Sequence, residues 1–267
     1  MPLLQILILT VIFLGASVIS VISGSTSLIT VPVMLAFGIE PHMAIATNML
    51  GLTLMSLGGT FPFIGKSIIE PKRLPLLVGL TLVGSTLGAL LVLVVPAKLI
   101  TLVISLCMIC VAALSLMKRD FGLVPGATNP SPVTEAFGYA ATFVLGIYGG
   151  FFSGGYVTLL TAAYVMLFRM TLIQAIATTK LINIFSSLIA TLIFAHQGMI
   201  NYSLGMILGT AMFVGGVIGG QLSLKLSNVW LQRIYLTVVA FLAVITLHKA
   251  QDQSQGGSPV NLITPLA

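Results

Sequence analysis

Residues 171–195 read TLIQAIATTKLINIFSSLIATLIFA, twenty-five residues with a single charge, Lys180. As a helix this stretch is about 37 Å long, which exceeds the roughly 30 Å hydrocarbon core of a bilayer. The run therefore predicts a membrane-spanning helix with a lysine about 13 Å along it, near mid-depth. Apolar runs of similar length stand near residues 3–22, 43–63, 74–95, 99–117, 136–152, 203–224 and 229–247. The whole 267-residue chain is 58% hydrophobic and only 6% charged, with a mean hydropathy of +1.16. Soluble domains carry about a quarter charged residues, so a water-soluble fold and a disordered chain are both excluded. The net charge of +6 comes from 11 Lys and Arg that form no stripe, so no nucleic-acid partner is expected. In a membrane protein such an excess reports orientation instead.

Within the opening run, Ala175-Ile176-Ala177-Thr178 repeats Ala44-Ile45-Ala46-Thr47 at an offset of 131 positions. The same offset pairs Gly24 with Gly155, Thr30 with Thr161, Phe37 with Phe168, Ser56-Leu57 with Ser187-Leu188, and Gly88 with Gly219. A duplication is expected, with an N-terminal repeat over residues 1–117, a loop over 118–134 and a C-terminal repeat over 135–250. A polar tail covers 251–267. The fold class is an all-α polytopic membrane protein, two homologous repeats of about five segments each, with eight full spans plus two short segments. The short ones, Thr26 to Phe37 and Tyr156 to Phe168, follow the breaks Ser23-Gly24-Ser25 and Ser153-Gly154-Gly155. Each reaches only about 18 to 20 Å as helix, so they read as half-helices, re-entrant segments or tilted short spans. If they do not cross, the basic residues divide six to four between the two sides. If they cross, Lys66, Lys72, Arg73, Lys118, Arg119, Arg169, Lys225 and Arg233 share one side against Lys98 and Lys249. The stronger bias favours inverted repeats.

The acidic residues are Glu40, Glu70, Asp120, Glu135 and Asp252, all in loops or at segment ends, which argues against a cation pump. Lys180 admits two readings. Its stem snorkels or its ammonium caps helix carbonyls, or it is a fixed positive charge for an anion, with Thr178, Thr179 and Asn183 beside it. The breaks favour an anion too, because a helix that starts inside a membrane presents unpaired N–H groups and the positive end of its dipole. The candidate substrate-binding residues are Ser23, Gly24, Ser25, Thr26, Ser153, Gly154 and Gly155 at the breaks. Thr178, Thr179, Lys180 and Asn183 join them, together with Thr47 and Asn48 from the first repeat, which are expected to face the Thr178 to Lys180 group.

No cofactor or metal site is expected. Cys107 and Cys110 read as small hydrophobes, and His42, His196 and His248 are dispersed. No H-E-x-x-H, no G-x-S-x-G and no Ser, His and acid set stands at membrane depth, so no enzymatic activity is expected. The expected partners are a small anionic substrate and the lipid bilayer, with a homo-oligomer left open, and the expected location is the cell membrane, crossed several times.

The stretch Gly24 to Met34 ending in Val31-Pro32-Val33-Met34, then Ala46-Thr47-Asn48, is echoed by Ser153-Gly154-Gly155 and by Ala177 through Ser187. With these residues the chain resembles the TauE/SafE family of sulfite and organosulfonate exporters over nearly its whole length. The resemblance implies about eight crossings and transport of sulfur-containing anions such as sulfite or organosulfonates. Gly24-Ser25-Thr26-Ser27 departs from the run of glycines usual in the family's first half.

Overall fold

A computed structural model of the chain describes residues 2–24, 26–96, 99–100 and 130–227, with Trp230 and Arg233. The apolar runs within it are helical: α1 (Leu3–Ser23), α2 (Ser27–Ala36), α3 (Pro41–Thr60), α4 (Leu74–Val94), α5 (Pro132–Phe151), α6 (Tyr156–Leu167), α7 (Leu172–His196) and α8 (Tyr202–Lys225). No strand occurs among the described residues. Five helices, α1, α3 with its 3-10 extension to Phe63, α4, α7 and α8, are long and apolar enough to cross a bilayer. α5, with 20 residues, is a sixth long helix. The runs at 99–117 and 229–247, with Cys107 and Cys110, and the tail from 251 lie outside the described residues, apart from Leu99, Ile100, Trp230 and Arg233.

Side-chain caps set where several helices start. Glu40 accepts the Met43 N–H at α3, Thr171 and Gln174 form a capping box at α7, and Asn201 accepts the Leu204 N–H at α8. At α5, Ser131 accepts the Thr134 N–H and Pro132 takes the first turn, so this helix begins inside the stretch expected to be loop as far as 134.

Helix directions follow from the contacts. Along α3 and α7, Asn183 meets Ser56 while Thr191 meets Thr53, so the two are antiparallel. Gly216 abuts Met55 and Gly220 abuts Gly59, which makes α8 parallel to α3. Gly215 abuts Leu14 and Gly219 abuts Val18, so α1 points the same way. α4 returns after the loop that follows α3, and α5 lies parallel to it, with Gly84 against Phe143 and Gly88 against Ile147. Glycine at these points lets one helix backbone touch the next. Thus α1, α3 and α8 run one way and α4, α5 and α7 the other.

Backbone geometry recurs at the same offset as the sequence. Left-handed residues occur at Gly24 and Gly155, at Gly38 and Arg169, and at Ser67 and Gly198, each pair 131 apart, while left-handed Gly65 and Ser153 have no such counterpart. α2 and α6 end at Ala36 and Leu167, and α3 and α7 start at Pro41 and Leu172, with the same spacing. The short segments are thus single helices of 10 and 12 residues, about 15 and 18 Å long.

Candidate functional site

α1 stops because Gly24 turns left-handed (φ 75°), which sends the chain back and leaves the last carbonyls of the helix to find other donors. The Gly24 N–H donates to the Ser20 carbonyl at 2.8 Å. The Lys180 ammonium of α7 donates to that same carbonyl at 2.9 Å. The Thr158 hydroxyl, from the first turn of α6, donates to the Ser23 carbonyl at 2.6 Å. Both remaining donors thus come from the second half of the chain, and the two breaks are in contact. Gly24 lies so close to α6 that a Cβ added there would stand 2.5 Å from the Thr158 nitrogen. Gly154 lies in turn against the Leu28 side chain of α2 and the Phe152 ring, and its carbonyl accepts the Tyr148 hydroxyl.

The beginnings of α2 and α6 therefore meet inside the bundle. Neither carries a side-chain cap, unlike α3, α5, α7 and α8. Their dipoles place partial positive charge where the breaks touch. Lys180 lies 1% exposed beside them and is the one buried charged side chain among the described residues. No ion pair among the described residues holds it there. An ammonium has three N–H donors, and Ser20 takes one. The Ser20 hydroxyl and the amide oxygen of Asn183, one turn along α7, are buried without a protein partner, as is the Thr178 hydroxyl two residues before Lys180.

The carbonyl-capping reading of Lys180 thus describes its contact with α1. Ser23, Gly24, Thr26, Ser153, Gly154 and Gly155 are buried at this junction, Lys180 reaches it through Ser20, Thr178 and Asn183 are buried on α7, and Ser25 lies outside the described residues. Thr47 and Asn48 take other partners than the expected Thr178 to Lys180 group. Asn48 holds α2, accepting the Thr30 hydroxyl at 2.7 Å and donating to Ser27 at 2.9 Å. Thr179 does the equivalent for α6 through Thr161, at 3.1 Å. The Thr47 hydroxyl accepts the Asn201 N–H at 3.1 Å and so fixes the start of α8. Each of the pairs Asn48 to Thr30 and Thr179 to Thr161 ties a short helix to the long helix that follows it. Sequence reasoning missed Ser20; its signal was its place one turn before a helix break, where a carbonyl bonded to the Gly24 N–H still has a lone pair for a second donor.

At the bundle ends, His42 bridges Glu40 (2.8 Å) and the Val95 carbonyl (3.0 Å). Arg73 binds Glu70 and Glu135 and stacks on the Phe168 ring at 5.4 Å. No group of three His, Cys, Asp or Glu that could hold a metal ion occurs among the described residues.

A family model for the sulfite exporter TauE/SafE matches residues 8–246. The probable membrane transporter protein YfcA of Escherichia coli K12 is 28% identical over 238 residues, covering 89% of this chain and 88% of the relative. The probable membrane transporter protein ORF9 of a Sinorhizobium species is 28% identical, covering 77% and 78%. YdhB of Bacillus subtilis 168, another probable membrane transporter protein, is 25% identical, covering 88% and 95%. No solved structure matches the chain.

Proposed function

The chain belongs to the sulfite exporter TauE/SafE family, and from that premise we propose that this membrane transporter exports a small sulfur-containing anion, such as sulfite or an organosulfonate, by alternating access. The observation that carries the reading is the buried Lys180 at the meeting point of two uncapped helix starts. A lone positive charge is costly at this depth, and anion binding is the use that offsets the cost. The unpartnered hydroxyl of Ser20, whose carbonyl already holds Lys180, supplies a hydrogen bond to an anion oxygen. Gly24 and Thr26 on one side, and Ser153, Gly154 and Gly155 on the other, form the walls.

We infer further that the two halves are inverted repeats, with the site on the axis between them. The opposed directions of α1 and α5, α3 and α7, and α4 and α8 support this, as does the recurrence of left-handed residues at one spacing. Lys66 and Lys225 line one cavity of about 370 Å³, and Arg73 stacks on Phe168, next to Arg169. That gathering of basic residues at one end favours the eight-to-two division of charge, with this end in the cytoplasm of a cell membrane. Rocking of one half against the other then opens the junction to each side in turn. Export of an anion down an inside-negative potential requires no second ion.

The test is flux in proteoliposomes for the wild type and Lys180→Ala. Saturable sulfite or sulfonate flux that falls at least about tenfold in the variant is expected. A saturable flux unchanged in the variant would remove Lys180 from the site.

A further inference from the structure

We propose that the cavity between the ends of α3 and α8 holds the headgroup of an anionic phospholipid, whose acyl chains lie along the groove between these two helices. The ligand is a lipid of the surrounding bilayer, distinct from the transported anion. Phe61, Pro62, Lys66, Gln221, Leu224 and Lys225 line the cavity, which measures about 370 Å³. α3 with its extension to Phe63 and α8 with its last residue Lys225 finish at the same end of the bundle. Their apolar spans stop at this level, so the cavity stands where hydrocarbon gives way to headgroups. A tight turn brings Lys66 there: its N–H donates to the Phe63 carbonyl at 3.3 Å, and its neighbours Gly65 and Ser67 are both left-handed. Lys66 and Lys225 are exposed, and neither forms an ion pair among the described residues. The acids Glu70 and Glu135 at this end are taken by Arg73. Two ammonium groups at one cavity fit a phosphate.

The surface that continues from the cavity toward mid-membrane favours a lipid over a free anion. On α3, Leu57 lies exposed one turn before Phe61, which is itself 67% exposed. On α8, Ile218 and Val214 lie exposed one and two turns before Gln221. Between these stripes the helices touch, since a Cβ added to Gly58 would stand 2.3 Å from the Phe213 carbonyl oxygen. The groove is therefore apolar below and basic at its mouth, the pattern of an amphiphile with a negative head. The other half of the chain builds the same crossing without the charges. Met55 and Gly216 meet between α3 and α8, and the residues 131 positions from them, Ser186 and Ser85, meet between α7 and α4 at 2.7 Å. At that spacing Lys66 corresponds to Gln197 and Lys225 to Val94.

The test titrates purified protein in detergent with phosphatidylglycerol and with phosphatidylcholine of the same chains, and counts bound lipid by native mass spectrometry. The wild type is expected to prefer phosphatidylglycerol. Lys66→Gln and Lys225→Gln are each expected to lose about fivefold in affinity for it, and the double variant about twenty-fivefold. Lys66→Arg and Lys225→Arg keep the charge and are expected to keep the preference. Lys72→Gln removes an exposed lysine at the same end but outside the cavity, and is expected to bind as the wild type does. Melting without added lipid is expected to be unchanged in every variant, because the replaced side chains are exposed, and this separates loss of the site from loss of the fold. Equal binding of the two lipids, no loss in the double variant, or an equal loss in Lys72→Gln overturns the proposal. Displacement of the lipid by soluble glycerol phosphate at an equal concentration would make the cavity a site for free anions and overturns it as well. Flux of the transported anion is a separate measurement, and its outcome leaves this proposal unchanged.

Discussion

The break after α1 and the break after α5 share a left-handed glycine and differ in what covers the end of the preceding helix. Gly24 and Gly155 are both left-handed (φ 75° and 77°), and each precedes a short helix held by its neighbour, through Asn48 in one half and Thr179 in the other. At the end of α1 a cation covers the Ser20 carbonyl. At the end of α5 the covering donors are neutral: the Ser153 N–H on the Tyr148 carbonyl, at 3.3 Å, and the Tyr148 hydroxyl on Gly154. The position 131 residues before Lys180 is Met49, fully buried. Two breaks that share a left-handed glycine are therefore held differently, and among the described residues only the first is held by a charged side chain.

Met49→Lys is the largest perturbation of this contrast. It buries a second ammonium where no acidic side chain is buried among the described residues, at a cost of about 3–5 kcal/mol. Thermal unfolding in detergent is expected to show a severely destabilised protein, and retention of wild-type stability would mean that the first half also has a place for a cation. Next in size is Gly24→Ala. It places a left-handed residue where a side chain is strained, by about 1–2 kcal/mol, and pushes Cβ into the Thr158 backbone, which adds about 1–3 kcal/mol. Gly38→Ala is the control, since its φ is 78° and no atom lies within 4 Å of the added carbon. It is expected to lose only the conformational share. Equal losses in the two variants would deny that the breaks are in tight contact.

The described helices and both breaks were legible in the sequence because bilayer thickness, glycine and apolar runs are local signals. Lys180 was legible as an anomaly, since one charge in a 25-residue apolar run has few explanations. Its partner was not. A backbone carbonyl has no letter of its own, and the Ser20 carbonyl becomes a target only because the Gly24 turn brings it, 160 residues away in the chain, against α7. The expected pairing of Asn48 with the lysine group failed for a related reason. The side chains at equivalent positions of two repeats were read as facing each other, whereas each satisfies the short helix of its own half first. The start of α5 was placed late because Ser131 and Pro132 resemble loop residues until the cap geometry makes them a helix start.

The smallest and most selective test of the comparison uses the caps of α3 and α7. Glu40 and Thr171 stand 131 residues apart and cap their helices in the same way, but only one of them titrates. Partial burial pushes the Glu40 carboxyl upward, yet the hydrogen bonds from His42 and from the Met43 N–H outweigh it and hold the group below its ordinary value of 4.5. A carboxylate with a lowered folded pKa stabilises the fold above the unfolded value, and the contribution disappears as pH falls through the folded one. Half of the side chain is open to solvent, so screening limits the effect to about a few tenths of a kcal/mol. Unfolding of the wild type and Glu40→Gln is expected to differ slightly at neutral pH and to converge in acid below about 4.5. A Thr171→Ala difference should persist unchanged through the same range, because its capping box holds no carboxylate. Convergence of both pairs in acid would mean that the loss is global, and would remove the distinction between the two caps.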